Sequence, residues 1–480
     1  MKLRFFAVAL LATSLWAQNA PAPEAQAIAG RVFEGGHTMQ YLTDLTDKFG
    51  PRLTGSPNYN AAAQWAADQF RAMGIKDVRL EPLHLAHTWK RGTATGHILT
   101  PEVRLLHIEP LGWSPATPPG GIKGDIFPLD DVSPENIEKH QADIRDHVVL
   151  LNTRKILGGA KEDSYKPWIY LLAAPKLLVE AGAKAVLLSG SRPSQVLNTT
   201  SLDWDAGIAP LPAAFIGKED GDYLFRITKT QPVSVEYQYT VEIGGPTQVN
   251  NVVAEIKGSE KPEEWIILGA HLDSWDFATG AQDNGAGTAQ VLEAARILSS
   301  LGKPPRRSIR FALWAGEEEG LIGSRAYARL HAAELAKCMA VLNTDNGAGE
   351  VHGWKTQGRE DLVQALQPFS DQYLAPLGAN EITTELTFDT DHGPFMLAGV
   401  PALDMLVDMK QYMEIHHNAG DTLDKVKQVN LNIGTAVLAL TANELANARK
   451  PLGPHFDRNG VENLIKPKDL DQFLKSIGDW

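Results

Sequence analysis

Residues 265–285 read WIILGAHLDSWDFATGAQDNG. The mostly apolar run 265–270 predicts a short buried strand, and polar residues begin where that run ends. The glycines in this stretch allow a tight turn, and an apolar stripe at helical spacing predicts a helix over 285–301. A strand, a turn and a helix in this order are typical of one unit of an α/β fold.

The same alternation continues along the chain. Apolar runs predict further strands, and helical spacing predicts further helices, before the sequence becomes polar after residue 449. Strands that alternate with helices favour right-handed crossovers. We therefore predict an α/β fold with a mostly parallel mixed sheet flanked by helices. The predicted strands are 309–315, 339–344 and 402–407, and the predicted helices are 37–49, 57–74, 321–330 and 431–445.

A second, smaller α/β pattern interrupts the first. It follows a stretch rich in glycine and proline at 110–122, which is typical of a linker. Strands are predicted here at 147–151, 185–188 and 213–216, with a helix at 171–181. We interpret 111–232 as an inserted domain, 27–110 with 233–449 as a discontinuous catalytic domain, and 450–480 as a tail without assigned structure.

The N-terminus has the order of a secretory signal peptide. Lys2 and Arg4 precede an apolar stretch at 5–16, and small residues follow it. This pattern predicts a signal peptide over 1–20 and a secreted or periplasmic protein. No later run of eighteen apolar residues occurs, so no membrane span is predicted.

The net charge and the cysteine content limit the kinds of function that the protein can have. The net charge of −13 argues against binding to nucleic-acid phosphates. Cys338 is the only cysteine, which excludes an intrachain disulfide. Any metal site must therefore use histidine, aspartate and glutamate.

Residues that can bind metal or transfer protons follow three of the predicted strands. His271 and Asp273 come after the first strand, Glu317 and Glu318 after the second, and Asp345 after the third. Open α/β sheets bind ligands at the carboxyl ends of their strands. These side chains are therefore expected at one edge of the sheet.

Two further segments complete the candidate site. Asp283 lies in the glycine-rich turn before a helix, where its carboxylate has room to reach two ions, and either His416 or His417 supplies a second imidazole. Nitrogen and carboxylate oxygen ligands suit zinc. We predict two Zn²⁺ ions bridged by Asp283, with His271 and Asp345 on one ion, and Glu318 and one of the two histidines on the other.

The remaining carboxylates have other predicted roles. Two ions about 3.5–4 Å apart would lower the pKa of a shared water toward neutrality. Glu317 would take a proton from that water and return it to the leaving amine. Asp273 would accept the second ring N–H of His271 and fix its tautomer.

The ordered motifs resemble those of the co-catalytic zinc exopeptidase family, which includes bacterial leucyl aminopeptidases, glutamate carboxypeptidases and glutaminyl cyclases. The features most similar to its carboxypeptidase Q branch are the run 271–276, the twelve-residue step from His271 to Asp283, and a histidine four residues before Asp421-Thr422. Residues 50–57 resemble the family's N-terminal region. The insertion at 111–232 resembles a protease-associated domain.

The resemblance implies residue roles and a substrate. It selects His417 over His416 as the ligand and supports Glu317 as the base. The segment 390–395 resembles the family's Ser-Asp-His segment with threonine in place of serine, which implies substrate contacts from Asp391 and His392. Tyr412 is a further candidate pocket residue. The branch favours dipeptides or short peptides as substrates, and a homodimer is an expectation from the resemblance.

Three alternative functions differ from this hypothesis in the residues that they need. An aminopeptidase would hold the free amine of its substrate with carboxylates, whereas a carboxypeptidase would hold a free carboxylate with Arg, Lys or Tyr. A glutaminyl cyclase-like acyl transferase needs one zinc and fewer ligands. A non-catalytic binding protein would have lost ligands or the base, and the sequence retains all of them.

Overall fold

The computed structural model describes residues 23–158 and 164–480. The predicted signal peptide at 1–20 lies outside these residues. Sixteen strands form two sheets within the described part of the chain. The strands are β1 Asp77–Leu85, β2 Thr88–Ile98, β3 Arg104–Leu105, β4 Ile108–Pro110, β5 Ile122–Leu129, β6 Val148–Leu151, β7 Ala185–Ser189, β8 Ala213–Ile216, β9 Ser234–Gly244, β10 Thr247–Ile256, β11 Lys261–His271, β12 Arg307–Trp314, β13 Cys338–Asn343, β14 Val351–Lys355, β15 Glu381–Thr383 and β16 Ala402–Val407.

The α-helices connect and cover these strands, and no helix in the described ranges is both long and apolar enough to cross a membrane. The helices are Pro23–Gly35, Thr38–Asp44, Pro57–Ala72, Pro134–Lys139, Gln141–Ile144, Thr153–Gly158, Lys166–Ala181, Lys218–Ile227, Ala286–Ser299, Ile322–Leu330, Glu360–Phe369, Gly393–Leu397, Lys410–Ile415, Gln428–Asn447, Arg458–Ile465 and Leu470–Ile477.

The first sheet has the order β1-β10-β12-β11-β13-β16-β14-β15. Its four central strands, β12, β11, β13 and β16, are parallel. Antiparallel pairings join β10 and β1 on one side and β14 on the other. The sheet is therefore mixed, with the parallel part where the sequence predicted it.

Side chains alternate along the central strand β11 and bury both faces of the first sheet. Ile266 and Leu268 belong to a core cluster with Leu292 of the helix Ala286–Ser299. Trp265 and Ile267 point to a second cluster on the opposite face. Burial on both faces explains why β11 reads as a continuous apolar run rather than an alternating one.

The C-terminal tail, which the sequence left unassigned, forms two short helices at Arg458–Ile465 and Leu470–Ile477. Leu470, Phe473 and Leu474 are buried in the same core cluster as Trp265. Their spacing of three and four residues is that of one helix face. This signal is present in the sequence, but it spans only two turns.

The second sheet has the order β3-β2-β9-β5-β6-β7-β8-β4 and is also mixed. Strands β5 to β8 are parallel, and β9 and β4 pair with them in the antiparallel sense. The sheet takes strands from Thr88 to Gly244, a wider stretch than the predicted insertion at 111–232. Its assignment as a protease-associated domain stays a prediction.

The predicted elements agree with the structure at several positions. The strands predicted at 213–216 and 402–407 are observed with the same bounds, and the helix predicted at 431–445 is Gln428–Asn447. The helix predicted after Ser56 begins at Pro57, and the Ser56 hydroxyl accepts a hydrogen bond from the Tyr59 N–H at 3.1 Å. A side-chain cap of this kind pairs a donor that the first turn leaves free.

Candidate metal centre

The ends of three parallel strands bring the first group of predicted residues together. β11 ends at His271, and the chain segments that follow β12 and β13 carry Glu317 and Asp345. The Nε2 atom of His271 lies 3.0 Å from Asp345 Oδ1 and 3.9 Å from Glu317 Oε2. The topological rule thus places these residues at one edge, as the sequence predicted.

Asp283 lies between two histidine positions. Its Oδ1 atom is 3.2 Å from the Nε2 atom of His271. Its Oδ2 atom is 3.4 Å from the Nε2 atom of His417 and 3.6 Å from that of His416. One carboxylate therefore faces both halves of the site, which is the arrangement that a bridging ligand needs.

The second half of the site contains Glu318 and His417. Glu318 Oε2 lies 2.9 Å from the Nε2 atom of His417. The Trp275 ring packs edge-on against His417, and the rings of His416 and His417 stack at 3.6 Å. Both histidines face Asp283, and of the two only His417 forms an ion-pair contact with Glu318 among the described residues.

Asp273 supports both halves through its main chain and its carboxylate. The Nδ1 atom of His271 lies 3.1 Å from the Asp273 carbonyl and 3.6 Å from its carboxylate. The same carboxylate accepts hydrogen bonds from the N–H groups of Glu317 and Glu318, both at 3.3 Å. The main-chain carbonyl of Asp273, rather than the predicted carboxylate, therefore accepts the hydrogen bond from His271, while the carboxylate holds the main chain of the two glutamates.

Burial and neighbouring charges strongly shift the pKa values of the acid–base groups in the site. Burial alone lowers the pKa of His271, but the nearby carboxylates Asp345 and Glu317 outweigh it and raise this pKa well above its ordinary value. Burial, with the charges of neighbouring carboxylates, raises the pKa of Glu317 and that of Glu318 well above their usual range. Buried carboxylates at such density carry a desolvation cost that a bound cation offsets.

The residues present fit a metal. Asp283 Oδ2 and Glu318 Oε1 are buried and have no hydrogen-bond partner among the described residues. Two groups have ligand atoms within 4.8 Å of one another: His271 with Asp283 and Asp345, and Asp283 with His416 and His417. Imidazole nitrogen and carboxylate oxygen are the donors that zinc accepts in the absence of cysteine.

Two residues without a predicted role hold the turn around Asp283. The Asp421 carboxylate accepts hydrogen bonds from the N–H groups of Gln282 at 2.7 Å and Asp283 at 3.0 Å. The fully buried Arg52 guanidinium donates to four main-chain carbonyls, which are those of Gly50, Leu272, Thr279 and Gly280. Both residues stood in motifs singled out by resemblance, but nothing in the residues alone indicated these contacts.

The three predicted substrate-binding residues are all buried. Burial raises the pKa of the Asp391 carboxyl to about 8. His392 is fully buried, with its Nε2 atom 3.0 Å from the Thr387 carbonyl. Tyr412 packs against the His416 ring at 4.9 Å. Substrate contact by these residues stays a prediction.

A small open pocket lies beside the second half of the site. Its walls combine aromatic rings, carboxylates and one of the histidines, and the residues lining it include no Lys or Arg. The lining residues are Trp275, Phe277, Ala278, Gly280, Asp283, Glu318, His417, Asn418 and Asp421.

Comparison with known proteins gives consistent results. Residues 251–441 match the model of peptidase family M28. The chain is 30% identical over 406 residues to carboxypeptidase Q of Mus musculus, covering 84% of each protein. It is also similar to the crystal structure of a peptidase M28 precursor from Shewanella amazonensis, with 30% identity, a TM-score of 0.78, and coverage of 90% of this chain and 98% of that one.

A zinc aminopeptidase from Bacillus subtilis has the same fold. The similarity has a TM-score of 0.64 at 22% sequence identity, and it covers 88% of this chain and 98% of that one. The similarity extends across both sheets, because neither sheet with its connections makes up 88% of this chain.

Proposed function

The chain belongs to peptidase family M28, and from this premise we propose that it is a zinc-dependent exopeptidase acting on dipeptides or other short peptides. The observation that carries the proposal is the position of Asp283. Its two carboxylate oxygens face His271 on one side and His417 on the other, at 3.2 and 3.4 Å. A single carboxylate placed in this way can serve two ions at once.

The residues that would hold two zinc ions fall into two groups, one on each side of Asp283. When bound, zinc lowers the pKa of a coordinated water and polarises the scissile carbonyl. Asp421 and Asp273 keep these ligands oriented through the hydrogen bonds described above. His271 and Asp345 would hold one ion, and Glu318 and His417 the other.

Glu317 is the carboxylate that this division leaves over. Its N–H is held by Asp273, and its Oε2 atom reaches to within 3.9 Å of His271 Nε2 without a hydrogen bond to it. We assign Glu317 as the general base, which takes a proton from the attacking water and returns it to the departing amine. Because it sits beside the ligands rather than among them, its substitution can be separated from loss of metal.

The position of the cut along the substrate is inferred from the relatives and from the residues that line the pocket. The similarity to carboxypeptidase Q favours release at a carboxyl end. The residues lining the pocket include no Lys or Arg that could pair with a free carboxylate, and aminopeptidase activity is therefore the second candidate.

Glu317→Gln tests the proposed chemistry. The variant keeps the shape of the side chain but loses the proton acceptor, so zinc content should stay at two per chain while kcat falls by about 10²–10⁴-fold. Zinc is measured by metal analysis and turnover on a dipeptide panel. Glu350→Gln, at an exposed acid five residues after Asp345, is the matched control and should keep normal turnover.

Normal turnover in Glu317→Gln would remove Glu317 as the base. A zinc content below two in the wild-type protein would contradict the bridged site itself. Dipeptides blocked at one end or the other identify the terminus that the enzyme needs, since a carboxypeptidase tolerates a blocked amine and an aminopeptidase tolerates a blocked carboxylate.

A further inference from the structure

A loop from the second sheet reaches the segment that carries His417. This loop, residues 192–199, lies between β7 and β8 and contacts residues 413–418 by four hydrogen bonds. Arg192 donates from Nε to the Met413 carbonyl at 2.9 Å, and its Nη2 atom donates to the same oxygen. The Asn198 side-chain amide donates to the His416 carbonyl at 3.0 Å. The fourth bond runs from the Thr199 N–H to the His417 carbonyl at 2.9 Å.

The contact continues past the histidines. Asn198 and Asn418 form an isolated antiparallel bridge, so the two segments run side by side. Arg91 fixes the loop from the other side, because it donates to the Thr199 hydroxyl at 3.0 Å and pairs with Asp276. The loop is therefore held at both of its faces.

His417 has an unusual backbone at this point. Its φ is +60°, in the left-handed region that costs a residue with a Cβ about 1–2 kcal/mol. Such a conformation persists only where the surrounding structure fixes it. The hydrogen bonds to the carbonyls of residues 416 and 417 lie on either side of the strained position, and both come from the 192–199 loop.

We propose that the 192–199 loop is a clamp, and that Arg192 and Asn198 are positioning residues that hold His417 in the conformation required to bind the second zinc. The inference rests on the proposed function, since it assumes the zinc site at His417. It gives a loop of the second sheet, the one between β7 and β8, a part in building the metal site. Completion of the metal site then depends on contact between the two sheets.

A different use of the same motif is disfavoured by the geometry. Asn198-Thr199-Thr200 matches the acceptor pattern for N-linked glycans. The Asn198 side chain is only 8% exposed, and the nitrogen that a glycan would occupy already donates to the His416 carbonyl. Its position fits the clamp and leaves no room for a sugar.

The clamp makes a selective prediction. Residues that orient metal ligands typically change metal affinity by about 10- to 100-fold when they are replaced. Asn198→Ala and Arg192→Ala should each weaken one of the two zinc ions by this factor and leave the ion held by His271 and Asp345 unchanged. Arg192→Lys keeps a donor and the charge, and should recover part of the loss.

The experiment titrates the full-length zinc-loaded protein with a chelator and counts the ions released at each step. Asn136→Ala is the matched control, because Asn136 also donates from its side chain to a main-chain carbonyl, that of Asp131, in the same unit. Turnover at saturating zinc is measured in parallel and should return toward the wild-type value. Thermal unfolding of the zinc-free proteins separates a folding defect from a metal defect.

Each possible result either supports the clamp or contradicts it. Early release of a single zinc from both alanine variants, with two zinc ions retained by Asn136→Ala, supports the clamp. Wild-type affinity for both ions, or equal weakening of both, overturns it. If Asn198→Ala lowers the stability of the zinc-free protein, the more exposed Arg192 variant decides the question. A wild-type protein with fewer than two zinc ions would instead refute the proposed function.

Discussion

Substitution of Thr390 tests how the buried carboxylate of Asp345 is held in place. Its hydroxyl donates to Asp345 Oδ2 and accepts hydrogen bonds from the Asn343 side chain at 3.1 Å and the Asp391 N–H at 2.7 Å. The residue is 3% exposed, so water cannot replace these bonds. Thr390→Val keeps the shape of the side chain and removes all three contacts.

The magnitude follows from these contacts. A hydrogen bond to a charged group contributes about 1.5–3 kcal/mol, and buried donors left unpaired carry a similar cost. We therefore expect the free energy of unfolding of the zinc-free Thr390→Val variant to fall by about 2–3 kcal/mol. Loss of orientation at Asp345 should also weaken binding of the zinc ion that we propose for His271 and Asp345 by about 10- to 100-fold.

The assay uses chemical denaturation of the zinc-free protein and chelator titration of the loaded protein. Thr390→Ser is the control, because it keeps the hydroxyl and removes only a methyl group. It also restores the serine typical of the family segment that the sequence resembles. Equal stability and equal zinc affinity in the valine and serine variants would refute the role assigned to this hydroxyl.

Three further perturbations test other parts of the structure. His417→Ala should lower zinc occupancy more than His416→Ala, because only His417 also contacts Glu318, and equal loss in the two variants would contradict the choice of ligand. Arg52→Lys should destabilise the protein by about 2–4 kcal/mol in chemical denaturation, since a lysine cannot pair all four buried carbonyls that the guanidinium satisfies. Burial raises the pKa of the Cys338 thiol well above its ordinary value, so alkylation followed by mass spectrometry should modify it only after unfolding, and rapid modification of the native protein would contradict its burial.

The parallel strands were predictable because each one is buried on both faces. Ile266 and Leu268 pack on one side of β11 and Trp265 and Ile267 on the other, which leaves a continuous apolar run in the sequence. The C-terminal helices were not predictable in the same way. Each has only two turns, and their apolar side chains gain their burial from a cluster formed by distant strands.

Three of the site residues stand at or just after the ends of parallel strands. Because the carboxyl ends of parallel strands meet at one edge of a sheet, the sequence predicted that His271, Glu317 and Asp345 lie together. The adjacent histidines 416 and 417 could not be separated by this rule. In the structure, the Glu318 contact and the left-handed backbone set His417 apart from His416.

The sequence by itself determined the α/β pattern, the strand-end placement of the site and the chemical types of its ligands, because these depend on periodicity and on residue identity. The tertiary structure decided which groups hold the ligands in place. Arg52 pairs with carbonyls more than 200 positions away, and the 192–199 loop reaches His417 from the other sheet. Main-chain acceptors are the same at every residue, so no sequence pattern marks them, and only packing brings the donors to them.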